Sequence, residues 1–242
     1  MRVPYVIGLD LGQVGDPTAM AVTRQLLTTC GEEQMLLYEI PMVERLPLGM
    51  SYPDQVDYVV ECLLAIPVPR GWPTASIGDA AMVLPHYRLV IDNTGVGRPV
   101  GDLFAKALRG IIRVTMTHGF VVHTPAPDEY TVPKRVLVSA LQVALQERRV
   151  KVARSLPEAA TLVKEAHNFQ YHLAAKTGDD TYGAWREGKH DDVLFATALA
   201  VWHGEFTAPP RRIILHQDYA RGSGHPLLRH RATRDMRRRY IY

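Results

Sequence analysis

The sequence predicts an α/β fold in which helices flank a mixed β-sheet. Two apolar runs, at residues 5–10 and 87–92, suit strands that are buried on both faces, and each ends in an acidic residue. Short turns join the first run to two more strand-like segments, as in an antiparallel meander. Helical segments and single strands then alternate along the chain, which indicates strands of both directions in one sheet.

The first three predicted strands and the first predicted helix occupy residues 5–66. Residues 5–10 end in an acid and are followed by a turn that contains glycine and proline. Residues 18–24 and 34–42 are strand-like and closely spaced. Residues 52–66 predict a helix, because acidic residues stand near its start and prolines follow its end.

The middle of the chain alternates between strand and helix. After a loop at residues 67–80, residues 87–92 predict a buried strand. Residues 99–108 predict a helix with proline in its first turn, and residues 111–117 a further strand. Residues 118–131 are polar and predict a long loop that could serve as a lid or a substrate edge.

Helices dominate the last third of the chain. Residues 133–149 and 156–166 predict amphipathic helices, and residues 169–173 a short strand. A glycine-containing loop leads to the adjacent acids Asp191 and Asp192. The run VLFATALAVW follows them and, being rich in Ala and Leu, predicts a buried helix of about three turns.

Composition limits the class of protein. The 242 residues are enough for one large domain or two small ones, and 47% hydrophobic with 22% charged residues is ordinary for a soluble globular protein. No apolar run approaches the roughly 18 residues of a membrane span, and the N-terminus has no signal-peptide pattern. Cys30 and Cys62 are far apart. We therefore expect a cytoplasmic protein with reduced, buried cysteines and no membrane partner.

Charge is distributed unevenly between the body and the C-terminus. Residues 211–242 contain nine Arg and two Asp, a net charge of +7, whereas the other 210 residues carry a net charge of −4. The composition changes near Pro209, so we predict a domain over residues 1–208 and a basic, Arg-rich tail over residues 209–242. Such a tail favours a polyanion as partner, although a merely solvated terminus has the same composition.

Four acidic residues stand where ligands collect in open α/β sheets. Asp10 and Asp92 end predicted strands, and Asp191 and Asp192 begin the last helix. Should the two strands be neighbours, Asp10 and Asp92 would lie side by side. Clustered carboxylates repel each other unless a cation joins them, and carboxylate oxygens suit Mg²⁺ or Mn²⁺. Two such ions about 4 Å apart can catalyse phosphodiester hydrolysis. Helix capping is the structural alternative for Asp191 and Asp192.

Three segments carry a resemblance to a known family. The segments VIGLDLGQVGDPTAMAV, LVIDNTGVGRPVGDLF and REGKHDDVLFATALA resemble the acidic motifs of the nuclease domain of phage large terminase subunits, which belongs to the ribonuclease H-like superfamily. The resemblance implies a central mixed five-stranded sheet flanked by helices, with an added β-hairpin supplied by residues 169–182. It also implies that Asp10, Asp92 and one or both of Asp191 and Asp192 bind two divalent metal ions.

The resemblance implies that the protein is a metal-dependent endonuclease. It would cleave double-stranded DNA in phage genome packaging, in the host cytoplasm. Its partners would be a packaging ATPase domain, which nothing in this chain could form, the small terminase and the portal. A Holliday-junction-resolvase-like nuclease has the same chemistry. A catalytically silent DNA-binding or assembly module and an actin-like phosphotransferase are alternatives from other classes.

Further polar residues are candidates for accessory roles. Lys134, Arg135 and Lys189 could contact the DNA backbone, although each could equally be solvated. His190 could ligate metal or orient water, and Asp16 could approach the metal site or only shape a turn. Adjacent helical residues point about 100° apart. We therefore expect Asp191 to bind metal directly while Asp192 caps the helix or binds through water.

Overall fold

The computed structural model of the chain describes residues 3–12, 15–30, 33–78, 81–94, 97–175, 191–208 and 240–241. The strands in these residues are β1 (Tyr5–Asp10), β2 (Ala19–Cys30), β3 (Glu33–Arg45), β4 (Ser76–Gly78), β5 (Ala81–Val83), β6 (Tyr87–Asp92), β7 (Ile111–Thr117), β8 (His123–Ala126), β9 (Glu129–Pro133), β10 (Val150–Ala153) and β11 (Tyr240–Ile241). The helices are α1 (Tyr52–Ala65), α2 (Gly97–Ala107), α3 (Lys134–Gln146), α4 (Ala159–Ala175) and α5 (Asp192–Phe206).

One mixed sheet organises the chain, with strand order β11-β10-β3-β2-β1-β6-β7-β9-β8. Strands β1 to β3 form the expected antiparallel meander. Strand β6 lies parallel to β1, and β7 lies parallel to β6. The central five strands, β3-β2-β1-β6-β7, form a mixed sheet of the kind that the resemblance implied, and helices cover both of its faces.

A β-hairpin extends the sheet at a segment that was predicted to be a loop. The segment predicted as a polar loop, 118–131, contains β8 and most of β9, which pair antiparallel and extend the sheet beyond β7. The predicted strand at 169–173 is wrong, because these residues continue α4. Residues 176–182, the rest of the predicted hairpin, lie outside the described residues.

Three smaller differences concern two short strands and one cysteine. Strand β10 follows α3 and lies parallel to β3, and the sequence analysis did not predict it. The predicted loop at 67–80 contains β4, which pairs with β5. Cys62 is half-buried, whereas the sequence predicted a buried cysteine. Strand β11 pairs with β10, while residues 209–239 of the predicted tail lie outside the described residues.

Two hydrophobic layers pack against the sheet. Alternate residues of β1 point to opposite faces: Val6 contacts the layer that contains α3, α4 and α5, whereas Ile7 and Leu9 contact the layer of α1 and α2. Because Gly8 shares the face of Val6, it lies directly beneath α5. A Cβ atom at Gly8 would lie 1.8 Å from the carbonyl oxygen of Ala196, so only glycine permits this close approach.

Helix α5 is the buried centre of the molecule, as its apolar sequence predicted. Residues 192–204 are all buried. At its C-terminal end Arg149 donates hydrogen bonds to the carboxylate of Glu205 (2.5 and 3.3 Å). Its N-terminal end stands at the edge of the sheet where β1 and β6 finish. In the described part of the chain, no helix is long and apolar enough to span a membrane.

Candidate active site

Asp10 and Asp92 lie side by side at one edge of the sheet. Strand β1 pairs in parallel with β6, and Leu9 lies opposite Ile91. The next residues, Asp10 and Asp92, therefore lie next to each other at the strand ends. Both acids share the face of α5, because Val6 and Val90 pack there and side chains alternate along a strand. Their carboxyl groups are in hydrogen-bond contact.

The electrostatics of this pair disfavour two negative charges. Burial raises the pKa of Asp10 well above its usual value, and the charges of Asp92 and Asp191 raise it further. Burial also raises the pKa of Asp92, against hydrogen bonds from Thr94. The positive charge of Lys134 opposes the shift at both acids. A bound divalent cation would relieve this repulsion.

Thr94, which the sequence analysis did not single out, fixes the carboxylate of Asp92. Its backbone N–H donates to Asp92 Oδ1 at 2.9 Å, and its hydroxyl donates to the same oxygen. The Thr94 hydroxyl oxygen accepts from the backbone N–H of Met116 in β7 at 2.7 Å. The spacing Asp-x-Thr at a strand end is the local signal that could have indicated this turn.

Asp191 stands immediately before α5, within electrostatic reach of Asp10. Its backbone carbonyl accepts the N–H of Phe195 at 3.0 Å, whereas its side chain makes no capping hydrogen bond to the helix. The sheet edge therefore brings three of the predicted acids, Asp10, Asp92 and Asp191, into one neighbourhood.

Asp192 is held by a residue that the sequence analysis missed. Arg45, the last residue of β3, donates from Nε to Asp192 Oδ2 (2.8 Å) and from Nη2 to Oδ1 (2.9 Å). The same Nη2 donates to Glu165 Oε1 at 2.6 Å. The expectation that Asp192 caps the helix is wrong, because the carboxylate of Asp192 is bound to Arg45.

The capping group of α5 comes from another helix. Glu165 Oε2, on α4, accepts the backbone N–H of Leu194 at 2.8 Å. Burial raises the pKa of Glu165 to about 7, against the hydrogen bond from Leu194 and the charge of Arg45. An acid on the apolar face of α4, one turn from Leu162 and Phe169, is the signal that could have identified it. Arg45 gave no such signal, because an arginine at a strand end is ordinary.

The two cationic candidates at the start of α3 reach different places. The ammonium group of Lys134 lies 4.7 Å from the ring centroid of Phe195, and its positive charge acts to lower the pKa of Asp10 and Asp92. The guanidinium of Arg135 lies 4.0 Å from the ring centroid of Phe120. Asp16 is exposed in the turn between β1 and β2, at the same edge. Lys189 and His190 lie outside the described residues.

The donor set fits a hard divalent cation in its chemistry. Among the described residues, no three His, Cys, Asp or Glu side chains are gathered tightly enough to enclose one ion. The acids that do meet, Asp10 and Asp92, offer oxygen donors alone, and Asp191 adds a third carboxylate nearby. Oxygen donors that repel each other suit Mg²⁺ or Mn²⁺ rather than a softer metal.

The sequence matches no known protein-family profile and no curated protein sequence. Solved structures do show similarity. The large terminase nuclease from the thermophilic phage G20c is 20% identical, with a TM-score of 0.46, over 81% of this chain and 80% of that chain. The terminase nuclease domain of human cytomegalovirus, from a manganese-soaked crystal, is 9% identical, with a TM-score of 0.41, over 86% of this chain and 87% of that chain. Both are terminase nucleases, the class of protein that the three acidic segments resemble.

Proposed function

We propose that this chain is a divalent-metal-dependent endonuclease that hydrolyses phosphodiester bonds of double-stranded DNA, as in phage genome packaging. The observation that carries the proposal is the contact between Asp10 and Asp92 at the ends of adjacent parallel strands. Burial raises the pKa of both acids, and the charges of Asp92 and Asp191 raise the pKa of Asp10 further. Two carboxyl groups in contact lower stability when no cation joins them, and acids with raised pKa values are typical of functional sites.

Under this proposal Asp10, Asp92 and Asp191 hold two Mg²⁺ or Mn²⁺ ions. When bound, these ions supply Lewis-acid stabilisation of the charge that develops on the phosphate. Thr94 keeps one oxygen of Asp92 in a fixed direction through two hydrogen bonds. Asp192 is the weaker candidate for a ligand, because Arg45 occupies both of its oxygens. Its role is to position the start of α5, and Asp191 with it.

DNA would approach this edge of the sheet along α3. Lys134 and Arg135 are the described cations best placed to contact backbone phosphates next to the acids. Contacts from Lys189 and from the basic tail, and accessory roles for His190 and Asp16, remain predictions. So do a packaging ATPase domain, the small terminase and the portal as partners.

Plasmid nicking tests the proposal directly. Wild-type protein and the Asp10→Asn variant are incubated with supercoiled plasmid and Mn²⁺, and Asp57→Asn serves as the matched control. Asp57 is exposed on α1, the helix that packs on the opposite face of the sheet. Asp10→Asn should abolish nicking and retain the circular dichroism spectrum of wild type, whereas Asp57→Asn should nick normally. Normal nicking by Asp10→Asn would refute the site.

Substrate comparison then separates the alternatives. A terminase-like enzyme should cut linear duplex and four-way junction DNA at similar rates, whereas a resolvase-like enzyme should prefer the junction. A wild-type protein that binds DNA but does not cut it with either Mg²⁺ or Mn²⁺ would be the catalytically silent module.

A further inference from the structure

The segment between β7 and β8 exposes an aromatic ring. The side chain of Phe120 is 71% exposed, and its neighbour Val121 is 61% exposed. Val122, the next residue, packs against the hydrophobic layer of α3 and α5, so the segment is attached to the core just beyond the ring. Exposing a phenyl ring to water has a free-energy cost, which a contact with another molecule would offset.

This ring lies at the same edge of the sheet as the acid pair. Strands β6 and β7 run parallel, and Asp92 pairs with Val114. The segment that carries Phe120 therefore leaves β7 at the edge where β6 ends. Strand β9 ends there too, because Thr117 pairs with Pro133. Lys134 follows directly, and its positive charge acts to lower the pKa of Asp10 and Asp92.

The surroundings of the ring are cationic. Arg135 places its guanidinium 4.0 Å from the ring centroid, so one face of the ring is covered by a positive charge. Residues 117–127 contain two histidines and no acidic residue. An apolar protein partner would have to bury this guanidinium, whereas a polyanion would be attracted by it. The charge thus favours nucleic acid as the occupant.

We propose that Phe120, with Arg135 packed on one face, stacks against the face of a nucleobase beside the cleavage site. The proposal rests on the proposed function, which makes DNA the substrate. A phenyl ring contacts bases by stacking, and this contact does not depend on sequence because every base has a π-face. Within a closed duplex the faces of the bases are covered by their neighbours. The ring therefore binds a base at an opened step or at a duplex end.

Fluorescence anisotropy with labelled DNA tests this contact. All variants carry Asp10→Asn, so that the DNA is not cut, and three duplexes are compared: one with a central mismatched segment, one with open ends, and one whose ends are closed by hairpins. Phe120→Leu keeps an apolar side chain but removes the ring. It should weaken binding to the mismatched or open-ended DNA about tenfold, the order expected for one stacked base. Binding to the closed duplex should change little.

Two controls define the result. Phe120→Trp, which keeps an aromatic face, should bind like the parent. Ile77→Ala removes an equally exposed apolar side chain (81%) near the opposite edge of the sheet and should have no effect. In a second measurement, the fluorescence of 2-aminopurine in the mismatched segment should be quenched by the parent and by Phe120→Trp, but not by Phe120→Leu. Which of the first two duplexes responds identifies the source of the base.

The outcomes separate this proposal from the proposed function. If the wild-type protein nicks plasmid but Phe120→Leu binds and quenches like the parent, the stacking contact is refuted and the nuclease stands. Equal weakening on all three DNAs would refute stacking in favour of a general apolar contact. Dimerisation in sedimentation that is lost in Phe120→Leu would show that a second copy covers the ring. If the wild-type protein neither binds nor cuts DNA, both proposals fail together.

Discussion

Replacing Arg45 by methionine should destabilise the protein by about 2–3 kcal/mol. The substitution removes three charge-assisted hydrogen bonds, two to Asp192 and one to Glu165. It leaves two acids whose side chains are only 10% and 5% exposed. Breaking a buried ion pair by removing one partner costs about 3–5 kcal/mol. The expected loss lies at or below the lower end of that range, because the Arg45 side chain is 27% exposed and water screens part of the interaction.

The loss should depend on pH in a direction set by Glu165. Its pKa is raised from 4.5 to about 7 in the folded protein, and loss of the Arg45 charge would raise it further. Between pH 4.5 and about pH 7 the folded state binds more protons than the unfolded state, so the free energy of unfolding falls as pH rises. The loss of unfolding free energy in the Arg45→Met variant should therefore be smallest near the unfolded pKa of Glu165. It should reach its full size only at pH values above the raised pKa of Glu165 in the folded protein.

Urea unfolding in EDTA, followed by circular dichroism across this pH range, measures both effects. Arg24→Met is the matched control, because its ion pair with Glu39 is long (3.5 Å) and the Arg24 side chain is 50% exposed. Such surface pairs contribute about 0–1 kcal/mol. Arg45→Lys should recover part of the stability, because lysine supplies the charge without the planar fork. A loss at Arg45→Met no larger than at Arg24→Met, or a loss independent of pH, would refute the reasoning.

Three further predictions concern stability and DNA affinity. In EDTA, Asp10→Asn should raise the melting temperature by about 2–4 °C, the equivalent of about 1 kcal/mol, because it removes a partly buried carboxyl group that neighbouring acids repel; a lower melting temperature in differential scanning fluorimetry would contradict this. Gly8→Ala should lower the free energy of unfolding by about 1–3 kcal/mol or more, because the new Cβ would lie 1.8 Å from the carbonyl oxygen of Ala196. Gly78→Ala should lower it less, because the nearest atom to its Cβ is 3.6 Å away. Equal losses in urea unfolding would show that α5 can shift. Replacing the nine arginines of residues 211–239 by glutamine should flatten the salt dependence of DNA binding, since each lost phosphate contact removes about 0.9 from the log–log slope; an unchanged slope in anisotropy titrations would show that the tail does not contact DNA.

The strands that hold the acid pair could be predicted because their signals are local. Residues 5–10 and 87–92 have the predicted bounds, since each is an apolar run next to turn residues. The contact between Asp10 and Asp92 then required one further step, that the strands before them are parallel neighbours. An acid at the end of each strand made that step the natural one.

The elements that were missed depend on partners far away in the sequence. Strand β9 forms because it extends β7, and β10 forms because it pairs with β3. Neither is apolar enough to be recognised alone. The segment 169–173 contains aromatic residues that favour strands, yet it continues α4. The ring of Phe169 there meets the ring of Phe195 at a centroid distance of 6.0 Å, so packing against α5 overrides the local preference.

The double acid at the start of α5 shows why a site cannot be read from its acids alone. Helix capping and metal binding both predict carboxylates there, and the sequence offers no way to divide the two roles between Asp191 and Asp192. In the structure the two acids differ in their surroundings because of two residues from other elements, Arg45 of β3 and Glu165 of α4. Arg45 neutralises Asp192, and Glu165 caps the helix at Leu194, so neither task needs the side chain of Asp191. Under the proposed function Asp191 is therefore the better candidate of the two for a metal ligand, and Arg45 and Glu165, which lie outside the three acidic segments, make this difference.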